Sequence, residues 1–137
     1  MKDYYLPTII KTLLVRKKVI LFAALGYTGF LATVSLIRID NLPDAGISFA
    51  DKIFHFLAYG LLTLLWFGVF SNNYRKKVAL RYAAIFSVGF GIIIEVLQKV
   101  LTEYRALDGY DIVANTFGVL LMSGILSLKN KVQVKNS

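Results

Sequence analysis

Asp51, His55 and Tyr59 recur at intervals of four, which puts them on one stripe of a helix with Lys52 beside them. Two more polar pairs follow the same logic: Glu95 with Gln98, three apart, and Asp111 with Asn115, four apart and continued by Gly118. Arg105 and Asp108 lie between those pairs. His55, Glu95 and Asp111 offer one nitrogen and two carboxylates, a donor set for a divalent ion that leaves positions for water and substrate. Without a metal, a carboxylate–histidine pair can act as a general base. Lys52 and Arg105 can meet a phosphate or carboxylate, the arginine through its bidentate fork. The chain contains no cysteine, so thiolate nucleophiles, thiolate metal sites and disulfides are excluded, and no serine is paired with His55 by spacing.

The elements that carry these groups are unusually apolar. The chain is 57% hydrophobic and 18% charged, with a mean hydropathy of +0.63, and leaves little polar surface for a water-facing domain. Four apolar runs, at residues 19–37, 53–70, 78–101 and 112–128, are each long enough to cross a bilayer. The first covers about 28 Å at 1.5 Å per residue. It is longer than the apolar core of a signal peptide and reads as an uncleaved span. Residues 1–18 set Tyr5, Ile9, Ile10, Leu13 and Leu14 on one face, with Lys11, Arg16 and Lys17 elsewhere, the pattern of an interfacial helix. Residues 129–137 form a basic tail. The expected fold is an all-α membrane protein: a four-transmembrane-helix bundle preceded by an amphipathic interfacial helix.

The net charge of +8 does not point to nucleic acid, because the basic residues cluster at the ends of the spans. Residues 1–18, the connection after the second run and the tail hold twelve of the sixteen Lys and Arg against one acid, Asp3. The alternate segments hold four basic residues and seven acids. The positive-inside rule places both termini in the cytoplasm of a cell with this protein in its cytoplasmic membrane. His55, Glu95 and Asn115 then fall at similar depths, about 6–9 Å below the outer ends of their spans. Polar groups at that depth either tie helices together or mark a site. Trp66, near the end of its run, is expected as an interfacial anchor.

These residues resemble the VanZ-like membrane proteins. The likeness runs from Asp51-Lys52-x-x-His55-Phe56-x-x-Tyr59-x-x-Leu62 through Glu95-x-x-Gln98 to Arg105-x-x-Asp108-x-x-Asp111-x-x-x-Asn115-x-x-Gly118. Tyr104 stands where the family often has proline, and Met122 replaces a glycine often seen a turn after Gly118. The resemblance implies a fold and a location more than a reaction; the founding member is associated with low-level teicoplanin resistance in Gram-positive bacteria. The expected function is therefore an envelope membrane protein whose outer-leaflet polar pocket binds a lipid, a peptidoglycan precursor or an amphipathic antibiotic. The lining would be Asp51, Lys52, His55, Tyr59, Glu95, Gln98, Arg105, Asp108, Asp111 and Asn115. The alternative is a membrane-embedded hydrolase or transferase acting on a lipid-linked substrate, with a divalent metal at His55, Glu95 and Asp111. A proton-coupled carrier using Glu95 and His55 is a third reading, weakened by the lack of an inverted repeat. The sequence leaves oligomeric state open.

Overall fold

The computed structural model describes residues 5–37, 48–101 and 109–137. They form four helices: α1 (Tyr5–Leu36), α2 (Ser48–Phe70), α3 (Lys76–Leu101) and α4 (Gly109–Asn136). All four are long and apolar enough to cross a membrane, and the protein is a multi-pass membrane protein. Within hydrocarbon a helix satisfies its own backbone, which is why each apolar run takes this form.

Two helices outrun the apolar segments. α1 joins the segment expected to lie on the membrane surface and the first span into one unbroken helix, with no break at residue 18. α4 continues through the basic tail to Asn136 rather than stopping near 128. Leu, Lys, Gln and Val sustain a helix on either side of an interface, because backbone hydrogen bonding does not end where the hydrocarbon does. The connection between α2 and α3 is a tight turn in which the Ser71, Asn72, Asn73 and Tyr74 amides donate to carbonyls of the last turn of α2. So short a link forces α2 and α3 to lie antiparallel.

Contacts between named residues give the topology. Ile20 reaches Gly68, and the Tyr27 hydroxyl donates to the Ala58 carbonyl at 2.9 Å, so α1 and α2 are antiparallel. Trp66 meets Phe86, with ring centroids 4.4 Å apart, and Tyr59 meets Phe90. Lys76 donates to Gln133, while the far end of α3 sets Gly91 against Asn115. The bundle runs up, down, up, down. α2 and α4 are therefore parallel, and they pack closest of all, while α1 touches α2 and α3 but not α4 among the described residues.

Glycines set the α2–α4 distance. A methyl group at Gly118 would meet the Phe56 carbonyl and come within 3.2 Å of the Gly60 nitrogen, so the two backbones touch there. Trp66 departs from expectation. It lies half-buried between helices, stacks near Phe86 and Phe70, and donates to the Thr28 hydroxyl at 3.0 Å. An indole flanked by a hydroxyl and aromatic faces is satisfied inside the bundle without an interface.

The distribution of polarity is that of a membrane protein. Phe22, Ile85 and Val100 are among many large apolar side chains turned outward, whereas Thr63, Ser87, Glu95 and Asn115 are buried. An apolar belt of this extent on a water-soluble monomer would be an aggregation surface; facing acyl chains it needs no cover.

Candidate functional site

Because α2 and α4 are parallel, the residues in their first turns and those one turn further in meet at one end of the bundle. The Nδ1 atom of His55 lies 3.0 Å from Oδ1 of Asn115. A carboxamide oxygen only accepts, so Nδ1–H donates and the other ring nitrogen, Nε2, is the one left to face outward. Nε2 lies 3.6 Å from Oδ1 of Asp51 and 3.7 Å from Oδ2 of Asp111. Lys52 donates to Oδ1 of Asp111, and its ammonium is 3.6 Å from Asp51. His55, Asp111 and Asn115 are buried, and Asp51 is half-exposed at the edge. Asp51 and Asp111 both occupy first helical turns, where the helix dipole favours a carboxylate.

One turn deeper, the Tyr59 ring lies nearly parallel to His55, with centroids 6.5 Å apart. Glu95, 2% exposed, approaches Tyr59 closely enough to interact with it electrostatically. Gly91 makes room for both neighbours: a methyl group there would stand 2.9 Å from the Tyr59 ring and 3.2 Å from the Asn115 amide nitrogen. At Gly89, by contrast, a methyl group would meet open space.

The expected set is thus brought together only in part. Asp51, Lys52, His55, Asp111 and Asn115 form one contact network. Gln98 turns the other way and donates to the Ser35 carbonyl on α1 at 2.8 Å, a tie between helices. The donor set also changes. Among the described residues, the histidine and carboxylate groups whose donor atoms all lie within 4.8 Å of one another are Asp51, His55 and Asp111, with Asp51 rather than Glu95 beside the other two. α2 and α4 bring their own first turns face to face, which sets Asp51, His55 and Asp111 together. Arg105 and Asp108, together with Tyr104, lie outside the described residues.

Two shallow concavities among the described residues are apolar. One lies between α2 and α4, with Phe56, Leu57, Gly60, Leu61, Gly118, Leu121 and Met122 around it; the other lies along α4. Neither includes His55, Glu95 or Asp111. Gly60 carries the close helix contact yet gave no polar signal in the sequence. Its clue is a small residue in a bulky apolar run, five positions after His55.

Comparison with known proteins gives the family. The family model described as VanZ/LLP1 matches residues 4–130, which takes in all four helices. The chain belongs to the VanZ/LLP1 family. Among its relatives is the uncharacterized protein C11E3.10 of the fission yeast Schizosaccharomyces pombe, 34% identical over 93 residues. That match covers 66% of this chain and 56% of the yeast protein, so this VanZ/LLP1 chain spans little more than half the length of its relative. No solved structure matches it.

Proposed function

We propose that this VanZ/LLP1 protein binds the polar head of a membrane amphiphile, an envelope lipid in the first instance, at the end of the bundle where α2 and α4 begin. The observation supporting this most strongly is the burial of His55, Asp111 and Asn115, with Glu95 below them, at one end of an otherwise apolar bundle. Ionisable groups at membrane depth are costly and collect where a ligand or ion is handled. Helix ties alone can be made by neutral groups, as Gln98 does with Ser35.

The edge of the cluster suits a headgroup with both signs of charge: Lys52 and the half-exposed Asp51 stand side by side. A zwitterionic lipid, a lipid-linked precursor and an amphipathic glycopeptide all share an apolar body with a charged head. The charge asymmetry of the connections orients the chain with both termini in the cytoplasm, so the cluster lies in the outer leaflet of the cytoplasmic membrane.

The test is native mass spectrometry of detergent-purified protein. The wild type retains a lipid, and the double variant Asp51→Asn/Lys52→Met, altered only at the cluster's edge, loses it. The lipid-facing control Ile85→Ala keeps it. Equal retention by all three refutes headgroup binding at this end. Teicoplanin susceptibility of a Gram-positive host expressing either form extends the test: protection by the wild type alone adds a glycopeptide to the ligands.

A further inference from the structure

The orientation of His55 carries a more specific reading than headgroup binding. Asn115 holds Nδ1–H, so neutral His55 presents the lone pair of Nε2 to carboxylate oxygens of Asp51 and Asp111, 3.6 and 3.7 Å away. Those separations exceed a hydrogen bond. They suit a cation between the atoms: an ion about 2.1 Å from nitrogen and oxygen spans such a gap at an angle of about 120°. Lys52 donates to Oδ1 of Asp111, while Oδ2 is the oxygen that lies 3.7 Å from the ring nitrogen. Among the described residues, one ammonium stands against two carboxylates there.

We infer that Asp51, His55 and Asp111 form a binding site for a divalent transition-metal ion of the zinc class, with Asn115 and Lys52 as the groups that orient the ligands. An imidazole nitrogen selects against magnesium, which keeps its water shell and prefers oxygen ligands alone. A histidine whose second nitrogen is held by a carboxamide, and a carboxylate whose second oxygen is held by an ammonium, have the outer support that metal ligands usually have. Asp51 is 52% exposed, which gives it room to swing onto the ion and leaves a coordination position open to water or to a ligand's phosphate. The site is built by α2 and α4 alone; Glu95 is not part of it.

The site does not depend on lipid binding, and the experiment separates the two. Tag-free, full-length protein in detergent, stripped with a chelator and dialysed, is titrated with zinc in competition with a fluorescent chelator. The expected result is one zinc per chain, undisturbed by a hundredfold excess of magnesium, about as a mixed nitrogen–oxygen site requires. Cobalt added in place of zinc should give visible d–d absorption that zinc abolishes. Asp51→Asn, at the exposed edge and tolerable to the fold, should weaken zinc by at least about tenfold, and Asn115→Ala by about 10–100-fold through its hold on His55. If stripped wild-type protein takes up no zinc, or Asp51→Asn binds it unchanged, the inference fails. Lipid retention measured with chelator present reads the headgroup proposal independently.

Discussion

His55 on α2 donates through Nδ1 to the amide oxygen of Asn115 on α4, 3.0 Å away and buried. One turn further along, Gly118 and Gly60 let the same two helices touch backbone to backbone. The glycine contact sets the distance that the polar pair then spans. Structure and candidate chemistry are coupled at this crossing.

Gly118→Ala is therefore expected to push α2 from α4. Overpacking of this kind costs about 1–3 kcal/mol. Thermal unfolding in detergent should show that loss, together with weaker ligand retention. Gly89→Ala and Gly124→Ala, where a methyl group meets open space, should unfold like the wild type.

Lys52 and Asp111 should prove coupled. Lys52→Met leaves two carboxylates beside His55 without their ammonium, and Asp111→Asn takes away one of the carboxylates that Lys52 faces. A double-mutant cycle should return a coupling of about 1–3 kcal/mol, with the double variant more stable than the sum of the two losses predicts. Strict additivity would mean that the pair contributes nothing.

Gln98 separates tie from site. Gln98→Leu removes its bond to the Ser35 carbonyl and should cost about 0.6–2 kcal/mol of bundle stability. Lipid retention and zinc uptake should be unchanged. A Gln98→Leu protein of normal stability that has lost its ligand would move the site toward α1.

Topology follows from charge. Reporter fusions at Lys77 and after Ser137 should respond as cytoplasmic, and one in the connection at 38–47 as external. An external signal after Ser137 would remove the outer-leaflet placement of the cluster.

The four helices were legible in the sequence because apolar runs bounded by charge have one stable outcome in a bilayer. Relative level was legible too: alternating direction brings the starts of α2 and α4 and the later part of α3 together. Rotation about each axis was not. Glu95 and Gln98 differ by only about 60° around their helix, and both are buried, yet it is Gln98 that reaches the Ser35 carbonyl on α1. That choice depends on how α3 crosses its neighbours, which residue spacing does not encode. The same limit exchanged Asp51 for Glu95 in the donor set. α1 and α4 extend past the apolar runs, since hydropathy marks the hydrocarbon and not the last hydrogen bond.

The measurement that bears most directly on headgroup binding is photocrosslinking with a lipid whose reactive group is in its head. The bundle has two polar ends: the one with Asp51, Lys52, His55 and Asp111, and the one with Arg16, Lys17, Lys18, Arg75, Lys76 and Lys77. Bulk anionic lipid is drawn to the basic end by charge alone. A specific headgroup site predicts crosslinks in peptides containing residues 48–60 and 109–118, competed by unlabelled lipid and lost in Asp51→Asn/Lys52→Met. Crosslinks confined to the basic end, or crosslinks at the first end that the double variant leaves intact, would contradict it.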